Sequence, residues 1–163
     1  MSDYYVKHLA VALPLKYASM IIDKSIELGH QHGLLPLTVA ILDVGGNLIA
    51  LKREDGCGVM RADIAIGKAW GALGMGISSR TIRDRLADRP SFQASLASVS
   101  QGRFVPVPGG VLICNNNNEV IGAVGISGDA SDKDEFCAIT AVKDCGYGAH
   151  PEEVNENWSK AGL

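Results

Sequence analysis

Apolar residues recur along the chain at two spacings, one typical of helices and the other of strands. Ala18, Ile21, Ile22 and Ile26 follow the helical spacing, which predicts a first helix over 14–32. The same kind of pattern predicts further helices over about 61–74, 80–89, 91–99 and 131–146, with Ser79 and Ser131 as the N-caps of the second and the last of these, and one more short helix after Pro151. In the segment 91–99, the spacing places Phe92, Leu96 and Val99 on one inward face.

Apolar runs interrupted by turn residues predict two hairpins. The first joins 37–42 to 48–51 through "DVGGN", and the second joins 111–114 to 119–127 through four asparagines, Asn115–Asn118. Glycine and asparagine adopt left-handed backbone conformations at little cost, and Asn or Asp side chains bond to their own turn. Two hairpins set among helices predict an α+β fold, in which helices pack on an antiparallel sheet.

Composition narrows the class of protein. Apolar residues make up 47% of the 163 residues and charged residues 20%, as in ordinary globular domains. With a net charge of −3 and no basic cluster, we expect no nucleic-acid partner. The apolar run 9–15 is too short to span a bilayer and lacks the features of a signal peptide, so we expect a cytoplasmic protein without a membrane partner. The four cysteines have no metal-binding spacing, and we expect no metal site.

Four segments carry a resemblance to a known family: "AILDVGGNLIALKREDG", "AIGKAW", "PGGVLI" and "EVIGAVGISGDASDKDE". Together they resemble the GlcG/HbpS-like family, which includes the C-terminal domain of PduO-type proteins. The likeness runs to about residue 145, so we interpret 1–163 as one domain with 146–163 as a C-terminal extension. It implies profilin-like α/β/α layers around a five-stranded antiparallel sheet, and homo-oligomers that are often octamers. It also implies heme as a cofactor of some members and an association with small organic-acid catabolism.

Lys68 is the first candidate site residue, because it interrupts the core face of a predicted helix. The "KAW" context of the family implies that it points into a pocket at the edge of the sheet. A lysine there can bind a carboxylate, or transfer protons if burial lowers its pKa. The alternative is a surface lysine whose stem alone is buried.

Residues around the two hairpins supply the other pocket candidates. Arg53 can clamp a carboxylate, or it can form a weak surface pair with Asp55. Asp43 either binds ligand or accepts hydrogen bonds from its own turn. The amides of Gly109 and Gly110 can hold an anion, or these glycines can form a tight bend that admits the chain to the sheet.

Two histidines at the end of the first helix, His30 and His32, are the candidate axial ligands for heme. A histidine there also interacts favourably with the helix dipole, which is the simpler explanation. The same dipole argument, applied to the start of the last helix, accounts for Asp134 and Glu135 without a paired-carboxylate site.

Two hypotheses follow. The first is a homo-oligomeric protein that binds a small ligand, for which the family resemblance implies heme as a candidate. The second is a catabolic enzyme, of lyase, isomerase or tautomerase type, acting on a small carboxylate or carbonyl compound. In the second, Lys68 and Arg53 act in one pocket near Gly110, completed by a neighbouring subunit.

Overall fold

The computed structural model describes residues 7–163, which form five α-helices and five strands. The helices are α1 (Leu15–Gln31), α2 (Arg61–Met75), α3 (Ser79–Arg85), α4 (Pro90–Val99) and α5 (Ser131–Asp144). The strands are β1 (Thr38–Asp43), β2 (Leu48–Arg53), β3 (Gly110–Cys114), β4 (Val120–Ser127) and β5 (Gly148–His150). One turn of 3-10 helix, Trp158–Lys160, lies near the C-terminus.

The strands form one sheet in the order β2-β1-β4-β3-β5, and every neighbouring pair is antiparallel. Both predicted hairpins are present, as β1–β2 and β3–β4, and the two hairpins join where β1 pairs with β4. The prediction of an α+β fold with a five-stranded antiparallel sheet is therefore confirmed. Strand β5 belongs to the segment 146–163, so the predicted extension contributes an edge strand to the sheet.

Helices cover both faces of the sheet. Because side chains alternate across a strand, Val39 and Ile41 of β1 face the core formed with α1 and α5, while Leu42 faces α2. These three layers match the α/β/α arrangement that the family resemblance implied. In the part of the chain that the structure describes, no helix is both long and apolar enough to cross a membrane.

A pair of glycines allows α2 to lie directly on the sheet. Gly110 of β3 is paired with Gly125 of β4. A Cβ atom at Gly125 would collide with the carbonyl oxygen of Ala65, and one at Gly110 with that of Lys68. The close approach of the α2 backbone to β3 and β4 therefore requires glycine at both positions, and it sets Lys68 beside the end of β4.

The two hairpin tips are built from the same hydrogen bonds. Asp43 begins the first turn and Asn115 begins the second. In each, the side-chain Oδ1 accepts from the backbone N–H groups two and four residues further on, all at 2.9 Å. Both predicted turns are therefore Asx turns made by their first residue.

Three local predictions are wrong. The N-cap of α3 is Ser78, whose Oγ accepts the Thr81 N–H at 3.2 Å, and not Ser79. The N-cap of α5 is Ala130 rather than Ser131. Helix α4 forms where predicted, yet none of its residues is buried: Leu96 and Val99 line a groove, and Phe92 is 38% exposed.

Candidate functional site

Lys68 is buried rather than exposed, with only 2% of its side chain accessible. Its Nζ donates to the carbonyl oxygen of Ile126 at 2.8 Å and to Oδ2 of Asp134 at 2.9 Å. This excludes the surface-lysine interpretation. The side chain crosses from α2 to the end of β4 and the start of α5, where it links the two faces of the sheet.

Asp134 is the charged partner of Lys68 and is itself completely buried. Its second oxygen, Oδ1, accepts the backbone N–H of Asp129 at 3.1 Å. Burial raises the pKa of Asp134 to about 6, against the opposing effect of the Lys68 ammonium. Burial likewise lowers the pKa of Lys68, and Asp134 opposes that change. The pair is held together in a region that water does not reach.

Glu135, the next residue, is a second buried carboxylate. Arg80 of α3 faces it, with Nε 3.3 Å from Oε2 of Glu135. Among the described residues, neither carboxylate oxygen of Glu135 receives a hydrogen bond. Burial raises the pKa of Glu135 to about 7, although the Arg80 guanidinium lowers it. Asp134 and Glu135 thus do more than stabilise the first turn of α5.

This polar cluster was missed because its partners are distant in sequence. Lys68 and Asp134 are separated by 66 positions. The available signals were a lysine within an apolar helix face and two adjacent carboxylates beginning another helix. Either signal alone has an ordinary explanation, and only the fold joins them. In this structure the ammonium of Lys68 already donates to two protein acceptors, so it is not open to a ligand.

Arg53 and Asp55 lie in a different environment from Lys68. Both are exposed, at the end of the edge strand β2 and just beyond it. They line an open surface depression together with Ile26, Lys52 and Glu54. Neither Lys68 nor Gly110 lines that depression, so the structure does not bring the predicted catalytic pair together within one chain.

Gly109 and Gly110 form the bend that admits the chain to β3. The Gly110 N–H donates to Oγ of Ser79 at 2.7 Å, so that amide already has a buried partner. Gly109 adopts a φ of 118°, and its carbonyl accepts the N–H of Ile126 at 3.0 Å. These bonds account for both glycines as a structural bend.

The two predicted heme ligands are both exposed but engaged with other side chains. His30 Nε2 is hydrogen-bonded to Oε1 of Glu54. The His32 ring makes edge contacts with Phe136 and Trp158, with ring centroids 4.9 and 5.2 Å apart. Neither histidine lines any of the clefts described below.

A cleft of about 370 Å³ lies near the N-terminal end of the described residues. It lies between the segment 10–15 and the tip of the first hairpin. Its walls are mainly aliphatic, and its lining residues are Ala10, Val11, Ala12, Leu13, Leu15, Asp43, Val44, Gly45 and Ile49. Val11 and Leu15 remain 68% and 60% exposed at its mouth, so the cleft presents apolar surface to a ligand or a partner. His8 precedes the lining segment by two residues.

A family model described as "Haem degrading protein HbpS-like" matches residues 13–143. The chain belongs to this family. The resemblance found in the sequence is thereby confirmed, and the matched range includes the Lys68–Asp134 pair, Glu135 and most of the apolar cleft.

Individual relatives agree with this assignment. The chain is 31% identical over 137 residues to an uncharacterized 15.0 kDa protein of the dhaT-dhaS intergenic region of Citrobacter freundii, covering 84% of this chain and 91% of that protein. It is 28% identical over 116 residues to the corrinoid adenosyltransferase PduO of Salmonella typhimurium, covering 71% of this chain but only 34% of PduO. Among solved structures, the PduOC:heme complex is 27% identical and superimposes with a TM-score of 0.77, covering 86% of this chain and 99% of that one.

Proposed function

We propose that this protein binds heme as a small-ligand-binding member of its family. The observation that carries the proposal is the likeness to the PduOC:heme complex, which extends over 86% of this chain. That solved structure is a complex with heme, and the likeness covers 99% of its chain.

Among the clefts formed by the described residues, the one beside the first hairpin has the aliphatic lining that suits such a ligand. A porphyrin needs an apolar slot and an axial ligand, and the cleft offers aliphatic walls from both the N-terminal segment and the hairpin tip. Val11, Leu15 and Ile49 would contact the macrocycle. We assign the axial position to His8, because it is the histidine nearest in sequence to the lining residues.

His30 and His32 have less support as axial ligands. Nε2 of His30 is already hydrogen-bonded to Oε1 of Glu54, so that nitrogen is not open to iron. His32 is packed edge-on against two aromatic rings. Both residues serve as matched controls for His8.

The test is an absorbance titration of the metal-free protein with hemin. We expect a saturable Soret shift at micromolar hemin in the wild type. His8→Ala should abolish or strongly weaken it, whereas His30→Ala and His32→Ala should leave it unchanged. The absence of a saturable shift in the wild type would refute heme binding itself. A shift lost in His30→Ala or His32→Ala, and kept in His8→Ala, would refute only the assignment of the ligand.

Assembly into a homo-oligomer is part of the same proposal. The resemblance implies octamers, and apolar side chains surround the mouth of the cleft: Leu9 is 86% exposed and Val44 58%. A second copy covering these side chains would remove them from water. Light scattering on the wild type and on Leu9→Asp tests this, with a smaller mass expected for the variant. An unaltered mass would mean that this surface is not the interface.

The alternative, a catabolic enzyme using Lys68 and Arg53, receives less support. Arg53 is exposed in an open depression, while Lys68 is enclosed with its acceptors. A role in small organic-acid or diol catabolism remains a prediction from the family, and it does not depend on this pair of residues.

A further inference from the structure

A second cleft lies between α2 and α4, away from the cleft assigned to heme. It encloses about 140 Å³ and is almost wholly apolar. Trp70 and Phe104 supply aromatic surface, and Leu96 and Val99 supply the α4 side. Two of the three apolar positions predicted to face inward from α4, Leu96 and Val99, therefore line this cleft and are not buried in the core.

Two glycines of α2, Gly71 and Gly74, line this groove, and a Cβ atom at Gly71 would lie 3.2 Å from the Phe104 ring. A Cβ atom added at Gly74 would meet only the Trp70 ring, at 3.7 Å, which is an ordinary contact. Gly76, and not Gly74, adopts the left-handed conformation that ends α2, so the end of the helix does not require glycine at position 74. A side chain at this position would enter the groove, and its absence leaves a space.

A cation, Arg103, contacts two of the residues that line the groove, Trp70 and Ser100. The Arg103 guanidinium lies over the Trp70 ring, with Cζ 4.2 Å from the ring centroid. Its Nε donates to the carbonyl oxygen of Ser100 at 3.2 Å. Arg103 takes part in none of the ion pairs found within residues 7–163, so the N–H groups of its terminal nitrogens face no protein carboxylate. A planar guanidinium of this kind binds a carboxylate through two parallel hydrogen bonds.

From the juxtaposition of an apolar groove, an aromatic wall and a free guanidinium, we propose that this groove binds a single aromatic ring that carries a carboxylate. The ring would lie against Trp70 and Phe104, and the carboxylate would pair with Arg103. The size agrees with one ring, because an engineered apolar cavity of about 150 Å³ binds benzene. Heme is far too large for this space, so the proposal stands apart from heme binding.

Trp70 makes the site measurable. The chain has two tryptophans, and Trp158 lies elsewhere, stacked on Phe136 at 3.7 Å. In Trp158→Phe, the remaining fluorescence therefore reports the groove. We expect a saturable change on titration with benzoate, and at least about 10-fold weaker binding of benzyl alcohol, which has the ring without the charge. Isothermal titration calorimetry on the wild type should give the same benzoate affinity, which checks that Trp158→Phe has not altered the site.

Two variants separate the contributions of charge and space. Arg103→Gln should weaken benzoate at least about 10-fold and leave benzyl alcohol within about 2-fold, because it removes the cation alone. Gly74→Leu should abolish binding of both compounds by filling the groove. If Gly74→Leu does not fold, Gly74→Ala, whose added methyl group is sterically acceptable, should still weaken both.

The proposal is overturned by any of three results: no saturable response of the wild type to about 10 mM benzoate, benzoate affinity unaffected by Arg103→Gln, or benzoate affinity unaffected by a folded Gly74 variant. All measurements use the heme-free full chain. A failure of the heme proposal would therefore leave the benzoate test unaffected, and a failure of the benzoate proposal would leave the hemin titration unaffected.

Discussion

Replacing Lys68 with methionine tests whether the buried ion pair organises the junction of α2, β4 and α5. Methionine preserves most of the buried length but removes the ammonium. Asp134 then keeps the hydrogen bond from the Asp129 N–H and loses the Lys68 ammonium, which lies 2.9 Å from its Oδ2. Breaking a buried pair by removing one member costs about 3–5 kcal/mol, because the other charge remains buried. The freed Ile126 carbonyl adds to this cost. We expect a loss near the upper part of that range at pH 8.

The expected loss depends on pH. The folded-state pKa of Asp134 is about 6 even with Lys68 present to lower it, so removal of Lys68 raises it further. Below pH 6 the Asp134 of the variant is therefore neutral, and no unpaired charge is buried. The difference in unfolding free energy between wild type and Lys68→Met should shrink from pH 8 to pH 5.

Urea unfolding at both pH values measures the effect, and a double-mutant cycle isolates the pair. Asp134→Leu should be destabilising alone, since it leaves Lys68 without a counter-charge. Lys68→Met combined with Asp134→Leu should be more stable than the sum of the two single losses predicts, by more than about 1 kcal/mol. A cost below about 1 kcal/mol for Lys68→Met at pH 8, or strict additivity in the cycle, would refute the account of the cluster.

Three further predictions concern other parts of the molecule. Burial raises the folded-state pKa of Glu135 from 4.5 to about 7, so this group stabilises the fold at acid pH and loses that contribution as pH rises from 4.5 through 7. Glu135→Gln should therefore flatten the dependence of the urea midpoint on pH over that window. An unchanged profile would contradict this prediction. Gly125→Ala should lower the free energy of unfolding, measured in urea, by at least about 2 kcal/mol, because the added methyl group collides with the Ala65 carbonyl. Gly162→Ala is the control and should leave the free energy of unfolding unchanged, because the space around its Cβ is open. Equal effects of the two variants would refute the close-packing argument. Asn115→Ala should cost about 1 kcal/mol by removing two turn hydrogen bonds, as judged by thermal unfolding against Asn116→Ala, and equal melting temperatures would contradict it.

Local sequence signals predicted most of the elements. The two hairpins follow from Asx turns that Asp43 and Asn115 can form with their own neighbours, so no distant information is needed. Strand β5 could not be predicted, because a three-residue segment has no measurable periodicity and its pairing depends on the distant β3. Periodicity predicted the helix α4 but not the surroundings of its apolar residues, since Leu96 and Val99 line a groove and Phe92 is exposed.

The candidate site was harder to predict than the fold. Lys68 was identified, but its partner was not, since a carboxylate in the first turn of a helix has a sufficient local explanation. Gly109 and Gly110 were identified as either an anion site or a bend, and only the Ser79 hydroxyl, 31 residues away, decides between these roles for Gly110. For His30, the deciding contact is with Glu54, 24 residues further on. In each case the missing information was a tertiary contact.

A crystal structure of the protein grown with hemin tests the central proposal most directly. The account predicts one heme per chain in the cleft between residues 10–15 and the first hairpin tip, with its iron bound by His8. Heme bound at His30 or His32, or crystals grown with saturating hemin that show an empty cleft, would contradict it.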